Sequence, residues 1–285
     1  MSSRSQHRRV LLLGASGKLG RLARAVWHAA APERLEIVPV FRQMAEVPGA
    51  VVWSPDQTER LLPPADAVLA LWGGVPGAGQ DLAVNADLAL RADAVARAVG
   101  ADRVLHCSSA AVYRPAAEPL TEDTPTDPQS PYGRAKAEME ATIAALPDRG
   151  VRQIVLRIGN VMGADSLGAS LRKGGGITLD RFADETGPRR SYIAASDFAA
   201  ALAVLSAAPL ETVPEVLNIA APKATAMADI ARAAGHDVAW RDAPEAAVPL
   251  VALDTGRLAR LCPLPISAAD ATYLAGDARR WEHAL

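Results

Sequence analysis

The sequence predicts an α/β fold: a doubly wound parallel sheet of Rossmann type with a small C-terminal lobe. Three observations predict it. The apolar run Val10-Leu11-Leu12-Leu13 leads straight into Gly14-Ala15-Ser16-Gly17-Lys18-Leu19-Gly20, which is a buried parallel strand entering a glycine-rich turn. From there to Ile158, β-type runs alternate with helical runs, the pattern of right-handed βαβ crossovers. Beyond Gly159 the alternation loosens into short elements and Pro-rich turns. The domain reading is therefore a dinucleotide-binding unit over 1–163 and a smaller substrate lobe over 164–285, with about 189–220 returning to the core.

Each element follows from its own residues. Leu19 to Ala31 has helical periodicity after the glycine turn, so the turn sits between strand and helix and reads as a dinucleotide cradle. Gly14 allows the tight turn, Gly17 lets backbone approach a pyrophosphate, and Gly20 lets helix pack on strand. The backbone around Ser16, Lys18 and Leu19 then offers N–H groups to the anion. Without a ligand the same stretch is an ordinary βα turn. Leu35 to Phe41, Ala50 to Trp53 and Ala67 to Leu71 read as the second, third and fourth strands. Asp81 to Gly100 is a long Ala-rich helix, Arg103 to Cys107 a fifth strand, Tyr132 to Leu146 a helix, and Gln153 to Ile158 a sixth strand. In the lobe, Lys173 to Gly176 is a flexible turn, Ser196 to Ala207 a helix and Val216 to Ile219 a short strand.

Composition removes several function classes. A formal net charge of −2 with no basic tract gives no field for nucleic acid. The polar, basic start Met1 to Arg9 precedes an apolar run that ends after four residues at Gly14, too short for a signal peptide core or a membrane span. Cys107 and Cys262 form no disulfide framework. The histidines at 7, 28, 106, 236 and 283 have no ligand spacing, so no metal is expected. The expectation is a reduced, cytoplasmic, metal-free protein without nucleic-acid or membrane partners.

Ligands of such sheets bind where loops meet at the carboxyl ends of the strands. The second strand ends in Phe41-Arg42-Gln43, where an acid would accept the ribose hydroxyls of NAD. Arg42 stands there instead and suits a 2′-phosphate, with Lys18 a second cation nearby, so NADP is expected over NAD. The fourth strand ends in Leu71-Trp72-Gly73-Gly74, whose glycines permit close approach to a cofactor, and Asn85 on the next helix is a polar side chain facing either the site or water. The fifth strand ends in His106-Cys107-Ser108-Ser109-Ala110-Ala111-Val112-Tyr113, followed by Pro131-Tyr132-Gly133-Arg134-Ala135-Lys136. Ser130 suits an N-cap and Pro131 a first helical turn, which puts Tyr132 and Lys136 on one helix face. A phenol is a poor base at neutral pH. A nearby ammonium, a helix N-terminus and a cationic nicotinamide each favour the phenolate.

The glycine turn, Ser-Ser-Ala-Ala-Val-Tyr and Tyr-x-x-x-Lys, in this order and separation, resemble the extended short-chain dehydrogenase/reductase family, the NAD(P)-dependent epimerase/dehydratase group. The resemblance continues in Arg157-Ile158-Gly159-Asn160-Val161-Met162-Gly163, in Arg190-Ser191-Tyr192-Ile193 with Asp197, and in Leu217-Asn218-Ile219. It implies that Tyr132 is the general acid/base, that Ser109 bonds the substrate oxygen, and that Lys136 holds the nicotinamide ribose and lowers the tyrosine pKa. It also implies that Asn160 and Arg190 contact the substrate, a small molecule with nucleotide sugars among the candidates, and that two subunits pair through the helices after the fourth and fifth strands. The chain departs from the family at Arg114, where Gly is usual, at Trp53-Ser54-Pro55-Asp56, which lacks the usual Gly-Asp pair, and in the short stretch after Gly163. Members that eliminate water carry an acid pair where this chain has Ala110 and Ala111. The reaction expected is hydride transfer between nicotinamide and a carbonyl or carbinol. The alternatives are an epimerase that retains its cofactor and a nucleotide-sensing protein without catalysis.

Overall fold

The computed structural model describes residues 7–75, 77 and 81–285; residues 1–6 of the basic start and Pro76 lie outside them. A seven-stranded parallel sheet is the frame. Its strands are β1 (Arg8–Leu13), β2 (Leu35–Phe41), β3 (Val51–Val52), β4 (Ala67–Ala70), β5 (Arg103–Ser109), β6 (Arg152–Ile158) and, later in the chain, β10 (Val216–Ile219). They lie in the order β10-β6-β5-β4-β1-β2-β3. The order reverses between β1 and β4, and that switch point opens the crevice in which such sheets bind ligands.

Burial explains the apolar strands. Val10, Leu11, Leu12 and Leu13 have no exposed surface, because helices cover both faces of the sheet. On one face lie α1 (Lys18–Ala29) and α5 (Ala195–Ala207), whose Leu22, Trp27, Phe198, Leu202 and Leu205 pack with Leu12, Leu69, Leu105 and Leu156. Trp27 also donates its indole N–H to the Ala199 carbonyl at 3.2 Å. On the other face lie α2 (Val84–Val99) and α3 (Pro131–Ala144), packed on each other and on the sheet through Ala89, Met139, Ile143 and Val155.

The C-terminal part has its own small core around Met162, Leu167, Leu179, Tyr192, Ile230 and Leu274. It contains β7 (Asn160–Val161), α4 (Ser166–Lys173), β8 (Ile177–Arg181), β9 (Arg189–Ile193), β11 (Ala224–Ala226), α6 (Met227–Ala233), β12 (Val238–Asp242), β13 (Leu250–Val251), α7 (Gly256–Ala259) and α8 (Ala271–Arg280). β9 is its hub. It pairs antiparallel with β11 and parallel with β13 and β7, while β8 pairs with β12.

Some boundaries differ from the sequence reading. α2 begins at Val84 rather than Asp81, because the Asp81 carboxylate accepts the Ala83 N–H at 2.9 Å and holds a turn there. The third strand keeps only Val51–Val52 of the predicted run, since the chain turns at Gly49, where φ is +71°, and leaves the sheet after Trp53. The turn over 173–176 leads directly into β8.

Candidate active site

Two glycines of the cradle are required by their neighbours. Gly14 has φ +83°, and a Cβ there would lie 2.7 Å from the Leu71 carbonyl carbon; a Cβ on Gly20 would lie 2.3 Å from the Gly14 oxygen. The buried Leu71 therefore contributes its backbone, pressed against the turn at the switch point. Gly17 differs, because the Gly14 oxygen at 3.3 Å is the sole atom a Cβ there would meet within 4 Å. Gly17 is also the N-cap of α1, with no side-chain cap and no acid in the first turn. The N-terminus of a twelve-residue helix is thus left with unspent N–H groups, the arrangement that receives a pyrophosphate. The residues present fit a dinucleotide. Ser16 lies exposed in the turn, Leu19 is partly buried against the core, and Lys18 reaches the Ala164 carbonyl at 3.5 Å.

Arg42 is exposed at the end of β2. Beside it the structure adds a residue that the sequence reading missed. The Arg24 guanidinium lies 4.9 Å from the Phe41 ring centroid and donates to the Ala15 carbonyl at 3.0 Å, spanning the gap from the glycine turn to the end of β2. Burial, then the nearby Arg21, lowers its pKa. Among the described residues no carboxylate lies within 4 Å of Arg21, Arg24 or Arg42.

Ser109, Tyr132 and Lys136 come together one strand beyond the crevice. The Ser109 hydroxyl accepts the Ala111 N–H at 3.2 Å and caps a short helical turn over 110–112. α3 docks on that turn. A Cβ on Gly133 would lie 2.1 Å from the Ala111 oxygen, so only glycine lets the start of α3 approach. The Ser130 hydroxyl accepts the Gly133 N–H at 3.0 Å and Pro131 starts the helix, as their residue types predict. Tyr132 is thereby brought near Ser109, whose hydroxyl acts on the phenol. Lys136 is 2 % exposed, donates to the Cys107 carbonyl at 2.9 Å and stands 5.9 Å from the Tyr132 ring centroid.

The protein's own groups leave the Tyr132 phenol protonated. Burial pushes the Tyr132 phenol above its ordinary value, a Cys107 contribution adds to this, and the nearby Ser109 hydroxyl opposes both. The Lys136 ammonium alone does not bring the phenol toward neutrality. It is itself desolvated, and burial lowers its pKa against the pull of Cys107 and Glu140.

The substrate-side residues take distinct positions. Asn85 is 1 % exposed, so it does not face water, and its amide donates to the Leu82 carbonyl at 2.8 Å and the Gly74 carbonyl at 3.3 Å. Among the described residues its buried Oδ1 has no partner, and it lies 2.6 Å from where a Gly73 Cβ would sit, a point 3.0 Å from Lys136 Nζ. Asn85 thus supports the 73–74 loop beside Lys136. Asn160 donates to Asp165 at 3.2 Å. Arg190 donates to the carbonyls of Arg189, Val248 and Pro249 at 2.8, 2.8 and 3.3 Å, and among the described residues it has no carboxylate partner.

Arg157, Tyr113 and Asn218 belong to a buried network behind the site. Arg157 pairs with Glu140 at 2.8 Å and donates to the Tyr113 hydroxyl at 2.9 Å; Tyr113 donates to Asn218 at 2.8 Å. Glu140 follows Lys136 by one helical turn, which is the signal that could have found it.

Comparison with known proteins gives the family and agrees with the fold. The model of the NAD dependent epimerase/dehydratase family matches residues 10–220. A UDP-glucose 4-epimerase of Azospirillum brasilense is 44% identical over 71 residues, which is 24% of this chain and only 20% of that protein. A short-chain dehydrogenase/reductase superfamily protein of Agrobacterium tumefaciens with bound NAD superposes with a TM-score of 0.75 at 21% identity, covering 95% of this chain and 97% of that one. MoeE5 in complex with UDP-glucuronic acid and NAD gives 0.75 at 21%, over 95% and 99%. With the family model spanning the glycine turn, Ser109, Tyr132, Lys136 and the return strand β10, this chain belongs to the NAD dependent epimerase/dehydratase family.

Proposed function

We propose that this chain is an NADP-preferring oxidoreductase acting on a carbonyl or carbinol of a sugar-like or other small polar substrate. The observation that carries the reading is the convergence of Ser109, Tyr132 and Lys136 beside a cradle with an uncapped helix terminus. When bound, the nicotinamide supplies or accepts the hydride. Tyr132 gives its phenolic proton to the carbonyl oxygen, or takes it back in oxidation, and Ser109 hydrogen-bonds the same oxygen. Lys136 holds the nicotinamide ribose, with Asn85 supporting the loop beside it. Ala110 and Ala111 offer neither the acid nor the base that elimination of water needs.

Arg42, Arg24 and Arg21, without a carboxylate partner, support binding of the extra phosphate of NADP, although the solved relatives described hold NAD. Titration of cofactor into the protein tests this. NADPH binds more tightly than NADH, and Arg42→Ala removes most of the difference; equal affinities in the unaltered protein contradict it.

For the substrate, MoeE5 holds UDP-glucuronic acid. Here Arg190, oriented by three carbonyls and unpaired, suits a phosphate or carboxylate. The 44% match to a UDP-glucose 4-epimerase favours a second reading, a nucleotide-sugar epimerase that retains its cofactor. A cytoplasmic location and a homodimer belong to the same reading, the first supported by the free Cys107 and Cys262 and the second by the small exposed Ala98 on α2 and Ala141 and Ala144 on α3.

A further inference from the structure

The buried face of α3 carries a carboxylate to which the reaction assigns no role. Glu140 lies one turn beyond Lys136 on the same helix. It accepts from the Ser108 hydroxyl on β5, and from Arg157 on β6 through Nε at 3.2 and 3.1 Å and through Nη2 at 2.8 Å. Both side chains of the Glu140–Arg157 pair are about nine-tenths buried. Ser108 is the residue before Ser109, and Arg157 stands in register with Ser108 across the β5–β6 ladder. One carboxylate therefore ties the helix of Tyr132 and Lys136 to the strand of Ser109 and to the strand that leads to Asn160.

Charge makes the second half of the argument. Lys136 is buried, and its recorded hydrogen-bond partners are a backbone carbonyl and the Met139 sulfur, neither of which carries charge. On β5, His106 is fully buried and held down to about 4, hence neutral, and burial pushes the Cys107 thiol up so that it too stays neutral. On α3, the Tyr132 phenol is protonated at neutral pH. On α2, Asn85 has no charge, and Asp93 is spent on Arg97 at 2.9 Å and Gln153 at 3.0 Å. On β6, Arg157 is a like charge. Glu140 is shared with Arg157, but it lies four residues from Lys136 on the same buried helix face and is the carboxylate whose attraction favours the Lys136 ammonium.

We propose that Glu140 is the positioning residue of this site: it braces α3 against β5 and β6 and supplies the buried carboxylate that balances Lys136. It touches no substrate and acts through Lys136 and Ser108. The inference rests on the reading of Lys136 as a functional ammonium, and its test is separable from that reading.

The chain has four lysines, Lys18, Lys136, Lys173 and Lys223, so protein labelled with 13C at the lysine ε carbon gives four NMR signals. Lys136 is the signal missing from Lys136→Met. The titration midpoint of Lys136 is read in the unaltered protein, in Glu140→Gln and in Glu140→Asp, without cofactor or substrate. The expected result is a midpoint lowered by about one pH unit or more in Glu140→Gln, a tenfold change in the protonation equilibrium. Glu140→Asp restores most of it and the other three lysines do not move. An unchanged Lys136 midpoint in folded Glu140→Gln overturns the proposal, even where thermal stability falls. Because Glu140→Gln leaves Arg157 buried without a partner, the double variant Glu140→Gln/Arg157→Met replaces the pair by a neutral one. There the midpoint also falls, by a smaller amount since a like charge leaves too; a midpoint equal to that of the unaltered protein overturns the proposal. Cofactor affinity of Lys136→Met separately tests the role of Lys136 itself.

Discussion

At Tyr132 burial and catalysis pull on the same proton. A phenol held above its ordinary pKa is protonated throughout the neutral range, which suits the role of acid that we propose for it in carbonyl reduction. On β5, His106 is neutral because burial holds it down to about 4, with its Nε2 2.7 Å from Gln153 Oε1. This depression has a consequence for stability. The native imidazole refuses a proton that the unfolded chain binds below about 6.5, so stability is full above that pH and is lost as pH falls toward 4. The loss amounts to about 3 kcal/mol. Urea melts over that window, repeated on His106→Gln, whose amide nitrogen takes the place of Nε2 opposite Gln153, check it: the variant should lose most of the slope, and an equal slope would place the acid sensitivity elsewhere. Ser109, Tyr132 and Lys136 were legible as residues because their spacing is local. The partners of Asn85, Asn160 and Arg190 were not, since Gly74, Asp165 and Val248 are brought near by turns and short strands that carry no periodic signal.

Among the elements, the glycine turn and α1 separate packing from binding. A methyl on Gly20 collides with backbone that cannot move away, whereas one on Gly17 meets a single oxygen at 3.3 Å. Gly20→Ala is therefore expected to lower thermal stability, by the 1–3 kcal/mol typical of overpacking. Gly17→Ala is expected to leave the melting temperature nearly unchanged while weakening cofactor binding about tenfold or more. Calorimetry and cofactor titration on the two variants decide it, and a Gly17→Ala protein that binds cofactor normally would show that the ligand does not approach there. The long parallel strands and α1 could be read in advance because buried strands are continuous apolar runs and α1 is periodic. β7, β8, β12 and β13 could not, for a strand of two to five mixed residues is chosen by its partner. Tyr192 is buried because β9 is a hub, a fact that no local pattern contains.

For the whole molecule, the sheet order brings the glycine turn, the 71–74 loop, the Ser109 turn and the start of α3 to one edge, while the short C-terminal part sets Asn160 and Arg190 beyond it. α2 and α3 pack on each other and leave Leu90 and small residues such as Ala141 and Ala144 exposed, a surface that suits a second copy. Light scattering should report twice the monomer mass of 29.8 kDa, and a monomer at working concentration would remove the dimer. The central claim is that the site spends its cofactor. Cofactor absorbance is followed with purified protein, NADPH and a panel of carbonyl compounds and sugar nucleotides, side by side for the unaltered protein and Tyr132→Phe. The account predicts NADPH consumed one for one with product, and turnover lowered about 100-fold or more in Tyr132→Phe with cofactor affinity kept. Sugar nucleotides interconverted with no net change in NADPH, by protein that carries bound cofactor through purification, would contradict it, as would near-full activity in Tyr132→Phe.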